Sequence, residues 1–268
     1  MMKKNISALS AVMLLLFISC AKDKITGRRP LKLIDEQEMI KMSTTSYADF
    51  LAKNPPLPQN DARVQLVKKV GENIQHAVEQ YVKDKGDPNR LDGYKWEFNV
   101  VDTKTVNAWC MPGGKIVVYS GLLPITENEN ALAVVLGHEI SHAVARHGNE
   151  RMSQAMAAQV GGSILSITLS GKSQVTQDIF LQSYGVGSTL GLLKYSRKHE
   201  SEADRLGLLF MAIAGYDPNE AIAFWERMMK ATGTNSTMEI LSTHPSDQQR
   251  IDDLKKFLPT ALKYYKKK

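Results

Sequence analysis

The stretch LGHEISHAVARH, Leu136 to His147, places three histidines and a glutamate inside what is otherwise the pattern of an apolar helix. A buried helix cannot carry so many titratable groups freely, because each must be paired, neutral or bound to something. On a helix advancing about 100° per residue, His138 and His142 stand about 40° apart and one turn removed, so their imidazoles share a face. Two imidazoles so placed can hold one cation. Zinc is the expected ion, one per chain, because it favours neutral imidazole nitrogen and accepts a carboxylate alongside. Glu139 adjoins a ligand, so its carboxylate flanks the metal without binding it and can take a proton from a water activated there. This is the H-E-x-x-H arrangement, expected here in mid-helix.

A catalytic zinc needs a third protein ligand. An H-E-x-x-H-x-x-G-x-x-H extension fails, because Ala145 and Gly148 stand where glycine and histidine are required. His147 is one place off and about 140° around a continuing helix from His142, so it is expected to support a ligand or cap the helix C-terminus. The stretch KHESEADRLG (198–207) offers a carboxylate instead. Glu200 and Asp204 lie one turn apart on one face, with Glu202 about 200° from Glu200 and turned elsewhere. Glu200 is the expected third ligand, and Asp204 the acceptor for the spare N–H of a ligating histidine. Read alone, the same acidic cluster is equally a solvated helix face balanced by Arg197, Lys198 and Arg205.

Around these motifs the chain reads as mostly helical. Residues 35–51 form a helix stopped by the prolines at 55, 56 and 58. Residues 61–82 form a second, with Val64, Val67, Val70, Ile74, Ala77, Val78 and Tyr81 at helical spacing. Residues 94–102 alternate as a strand, and 106–120 read as a hairpin around Pro112-Gly113-Gly114. Thr126 and Glu129 make a capping box for the metal helix. Two helices broken near 171–173 follow, then helices over 196–214, 218–230 and 247–258. The run 160–169 is too short to span a membrane.

At the N-terminus, Lys3 and Lys4 precede an apolar run and the lipobox-like Phe17-Ile18-Ser19-Cys20. This reads as a lipoprotein signal peptide over 1–19, lipidation at Cys20 and a polar tether over 20–34. The expected place is therefore the cell envelope, lipid-anchored at the periplasmic face of the outer membrane. Cys110 then has no partner and is expected as a small buried hydrophobe. Residues 1–19 carry two lysines and no acid, so removing them lowers the net charge from +6 to +4, and Lys266, Lys267 and Lys268 supply three of what remains. The basic character is a tail over 261–268. No interior stretch mixes Lys and Arg with aromatics, so no nucleic-acid partner is expected.

Taken together, ITGRRPL (25–31), NAWCMPGGKIVVYSGLL (107–123), LGHEISHAVARH, ESEAD (200–204) and STHP followed by Arg250 resemble the zinc metallopeptidases of the forty-eighth metallopeptidase family, relatives of HtpX and the type-one CaaX prenyl proteases. Within it the chain resembles soluble lipoprotein members of the LoiP and BepA kind. The resemblance implies an α+β, predominantly helical, zincin-like (gluzincin) domain over 35–260 with a small β-sheet before the metal-binding helix. It implies His244 as an extra ligand or switch at the metal, and Arg250 as a residue that polarises the substrate carbonyl or braces the site. The expected function is zinc-dependent endoproteolysis of unfolded or misassembled envelope proteins, held as extended segments along the strand at 107–110. A lipid-tethered chaperone or scaffold with secondary protease activity is the competing class, and a purely structural zinc closed by four protein ligands is a third.

Overall fold

Short polar side chains fix where the helices begin in this computed structural model, which describes residues 22–159, 174–184, 195–231, 239–244 and 248–266. Asp35 accepts from the Gln37 N–H and opens α1 (Glu36–Lys53). Asp61 accepts from the Arg63 N–H and opens α2 (Ala62–Asp84), which buries the predicted apolar stripe from Val64 to Tyr81. Three strands follow, β1 (Glu97–Val101), β2 (Ala108–Met111) and β3 (Lys115–Tyr119).

β2 and β3 make the expected antiparallel hairpin, with Cys110 opposite Ile116. Gly113 and Gly114 turn it at φ of 80° and 76°, a region closed to most other residues. A Cβ on Gly114 would also stand 2.6 Å from the Trp96 ring. β1 pairs with β3, in parallel, giving the order β1-β3-β2 and leaving β2 at the edge.

The sheet is a middle layer, and the alternation of its side chains divides the core in two. Val101, Trp109, Met111 and Val117 face α1 together with α5 (His147–Gln159) and α6 (Gln174–Ser183). Phe98, Val100, Ala108, Cys110, Ile116 and Val118 face α2 and α4 (Glu129–Val144). Cys110 is a free thiol buried in this second layer, as its lack of a partner predicts. Beyond α4 lie α7 (Arg197–Ile213), α8 (Glu220–Ala231) and α10 (Gln248–Ala261).

The capping box is not formed. Thr126 ends the one-turn helix α3 (Leu123–Thr126), Glu127 follows at φ 62°, and the cap of α4 is Asn128, whose side chain accepts from the Ala131 N–H. Glu129 turns outward to Lys69, 2.7 Å away. Residues 22–34, expected as a tether, lie against the body: Asp23 pairs with buried Arg90, and Leu33 N–H donates to Ser153 Oγ at 2.9 Å. The leader, Cys20, the break near 171–173 and the last two lysines lie outside the described residues.

The α4–α7 crossing positions everything that follows. Gly137 meets Gly207 so closely that a Cβ on either would stand 3.0 Å from the other helix's backbone. That approach sets the faces bearing His138, His142 and Glu200 against each other.

Candidate metal centre

α4 is buried on nearly all sides, and Leu132, Leu136 and Ile140 are fully enclosed. Each such side chain contributes about 1.5–3 kcal/mol, which offsets the cost of His138, Glu139 and His142, all buried beside them. Ser196 caps α7 through the His199 N–H, so Glu200 falls in that helix's first turn. α9 (Ile240–Thr243) ends at His244, which reaches back over the two helices.

Ligand-type atoms of His138, His142, Glu200 and His244 lie within 4.8 Å of one another. His138 Nε2 is 3.0 Å from His142 Nε2 and 3.2 Å from His244 Nδ1. Glu200 Oε1 lies 3.3 Å from His142 Nε2 and 3.0 Å from His244 Nδ1. His138 donates its other nitrogen, Nδ1–H, to Asp204 Oδ1 at 2.9 Å, so its Nε2 presents a lone pair inward. Lone pairs converging in this way repel unless a cation stands among them. The donor set of imidazoles and a carboxylate is the one zinc takes.

The titration of these groups points the same way. Burial and Arg250 push His138 down, but Asp204 and Glu200 outweigh them and hold it up at about 9, so zinc binding there displaces a proton from Nε2. Burial holds His142 well below its usual range, in the neutral form a metal needs. Burial raises Glu200 as well, yet His244 and Arg250 prevail and keep it well below the usual carboxylate range. Burial raises Glu139. Its Oε1 accepts no hydrogen bond among the described residues and lies 3.6 Å from His244 Nε2.

Arg250 grips the acidic pair from the far side. It donates through Nη2 and Nε to Asp204 at 2.6 and 2.8 Å, and its Nη1 lies 3.1 Å from Glu200 Oε2. Its guanidinium lies 3.4 Å from the Trp225 ring centroid. Three of its nitrogens thus face carboxylates, an arrangement suited to bracing the site.

His147 arrives by a route the helical projection does not give. α4 ends at Val144, and Arg146 at φ 61° reverses the chain, its guanidinium 3.2 Å from Glu36. His147 thereby returns to His142, with Nδ1 to Nδ1 at 2.9 Å, and its Nε2 meets Glu202 at 2.7 Å. Glu202, set aside as facing away, thus stands behind the site. Arg28, Glu150 and His199 stand there too, and periodicity carried no signal for them. The one hint was chemical: Arg28 sits in the ITGRRPL stretch.

Residues 68–258 match the family model of Peptidase family M48. The chain belongs to this family. M48 members are zinc metallopeptidases, and the predominantly helical architecture with its three-stranded sheet is that of an M48 peptidase domain. The chain is similar to "Mitochondrial metalloendopeptidase OMA1" of Schizosaccharomyces pombe, 42% identical over 174 residues, 64% of this chain and 49% of the relative. It is similar to "Metalloendopeptidase OMA1, mitochondrial" of Homo sapiens, 32% identical over 248 residues, 89% of this chain and 46% of the relative. The "Beta-barrel assembly-enhancing protease" of Escherichia coli is 32% identical over 162 residues, 59% of this chain and 33% of the relative. The chain spans about half or less of the length of these M48 relatives.

The OMA1 relatives overturn the expected location. They are named as mitochondrial, which corrects the reading of a lipid-anchored protein at the outer membrane, and the lipoprotein subtype draws no support from them. No helix among the described residues is long and apolar enough to cross a membrane.

Proposed function

We propose that this M48 chain is an endopeptidase acting on unfolded or misassembled proteins, with zinc held by His138, His142 and Glu200. The observation that carries the reading is the meeting of three ligand side chains from α4 and α7 beside Glu139, a buried carboxylate with an unpartnered oxygen. Zinc, when bound, supplies Lewis acidity toward a water and the scissile carbonyl. Glu139 takes the proton from the attacking water and returns it to the leaving amine nitrogen. Its burial, which raises its pKa, suits a base that must also act as an acid near neutrality. Asp204 fixes the His138 tautomer, and Arg250 holds Asp204 and Glu200 in place.

β2 is an edge strand of the sheet and runs beside α4, so an extended segment can add to it through backbone hydrogen bonds. Unfolded and loop segments offer such a strand more readily than compact folds do, which favours unfolded substrates. Metal analysis and cleavage of unfolded casein test the reading together. One zinc per chain is expected, with cleavage abolished by chelator, and with Glu139→Gln retaining zinc while losing activity by about a hundredfold or more. Full activity of that variant refutes the assignment.

A second reading has a specific observation behind it: His244 offers Nδ1 as a fourth ligand and closes the site. In this reading the chain rests in a latent form, and His244 must withdraw before water and substrate can enter. α9, which leads into His244, touches the chain two residues ahead of β2, Ile240 N–H donating to Val106 O at 3.1 Å. One movement of this segment would therefore free both the metal and the approach to the strand.

A further inference from the structure

Arg28 lies in the N-terminal strap, more than a hundred residues before the metal helix, yet its side chain is nearly buried against α5 and α7. Its guanidinium donates through Nε and Nη2 to Glu202 at 2.8 to 3.0 Å, and through Nη1 and Nη2 to Glu150 at 3.1 and 2.9 Å. The strap presents it in a fixed turn. Asp23 O accepts from Gly27 N–H and Arg28 O from Asp23 N–H, both at 2.7 Å, with Gly27 at φ 68°. Asp23 Oδ1 also accepts from the N–H groups of Ile25 and Thr26 while its carboxylate pairs with Arg90.

The contacts beyond Arg28 have a direction. Glu202 as a carboxylate can only accept, so at 2.7 Å it takes the Nε2–H of His147. A neutral His147 with its proton on Nε2 offers a lone pair at Nδ1. That lone pair, 2.9 Å from His142 Nδ1, takes the Nδ1–H of His142. His142 is then left with its free lone pair at Nε2, the atom that faces His138 and Glu200. Reversing the first donor reverses the row and puts a proton where the metal should bind.

We propose that Arg28 is a positioning residue for the ligand His142: by fixing the Glu202 carboxylate against His147, it sets the order of donors that leaves His142 Nε2 open to zinc. The strap is thereby part of the metal centre, as the counterpart for His142 of what Asp204 and Arg250 do for His138. The proposal rests on the zinc site described above.

The test is zinc affinity, measured on the full chain by competition with a chromophoric chelator, together with the visible spectrum of the cobalt-substituted protein. Arg28→Ala is expected to weaken zinc binding about ten- to a hundredfold, the range for loss of a group supporting a ligand, and to alter the cobalt bands. Arg28→Lys, which keeps the charge but not the fork, should fall between. His147→Ala should weaken binding to a similar degree, and adding Arg28→Ala to it should then change nothing further. An Arg28→Ala protein that folds and binds zinc as tightly as the wild type overturns the proposal. So does an undiminished Arg28 effect in the His147→Ala background, since that is what a merely structural contact gives. If Arg28→Ala does not fold, the same cycle run with Arg28→Lys decides. A wild-type chain that binds no zinc refutes the metal site itself, a separate result.

Discussion

Glu139 and His244 compete for the same small space, and their competition decides how the site behaves. His244 Nε2 lies 3.6 Å from Glu139 Oε1, while Nδ1 stands 3.0 Å from Glu200. In the latent reading, a histidine so placed occupies the position an attacking water needs. On that reading, replacing it with alanine removes one ligand of four and leaves three, the number typical of catalytic zinc. The expected outcome for His244→Ala is one zinc still bound, more weakly, with an initial rate of casein cleavage several-fold above the wild type. A rate that falls with zinc retained means that His244 serves the reaction instead of blocking it. At this scale the sequence was informative for the pairs His138 and His142, and Glu200 and Asp204, because helical spacing places each pair on one face, and for Glu139 through its place beside a ligand. It was silent on the donors behind them. Glu202 points away from Glu200 by periodicity, and only the reversal at Arg146 brings His147 round to meet it.

Helices α4 and α7 come together at a glycine pair, and the ligand geometry depends on that contact. In an exposed helix, glycine to alanine stabilises by about 0.8–1 kcal/mol through propensity alone. At Gly207 the added Cβ would meet Gly137 and His138 backbone atoms at 3.0 Å. Two backbones cannot yield as a flexible side chain can, so the helices must part by a few tenths of an ångström. Gly207→Ala is therefore expected to reverse the usual sign, destabilising by about 1–3 kcal/mol in a thermal or denaturant melt, with zinc affinity falling as Glu200 recedes from the imidazoles. A variant more stable than the wild type contradicts this account of the crossing. Local patterning gave the helices, the stripe on α2 and the β2–β3 hairpin. It did not give the parallel β1–β3 pairing, which joins segments with β2 between them in the chain. Nor did it give Asn128 as the cap, because Thr126 and Glu129 fit a capping box equally well until Glu127 breaks the chain between them.

For the molecule as a whole, the strap over residues 22–34 ties the N-terminal side to the metal centre, and its strength depends on pH. Burial raises Glu150, but its bonds from His199 and Arg28 prevail and hold it at about 2; Glu202 is lowered by His147 and Arg28 against its burial. A carboxylate whose folded pKa lies below its unfolded value contributes stability above the unfolded value, and that contribution is lost as pH falls through the folded one. Melts should show the strap's contribution intact above about pH 5 and lost between there and about pH 2, with a shallower acid dependence in Arg28→Ala. An equal acid slope in the variant contradicts it. A tether was the natural reading of this polar stretch, since composition does not reveal that Asp23 and Arg28 find partners far along the chain. All of this turns on whether side chains from α4 and α7 gather round one zinc ion. X-ray absorption at the zinc edge of the loaded chain measures it directly. The account predicts nitrogen and oxygen ligands at about 2.0–2.2 Å with imidazole scattering, and, where His244 closes the site, one imidazole fewer in His244→Ala. Sulfur at about 2.3 Å, or fewer than two imidazoles in the wild type, would contradict it.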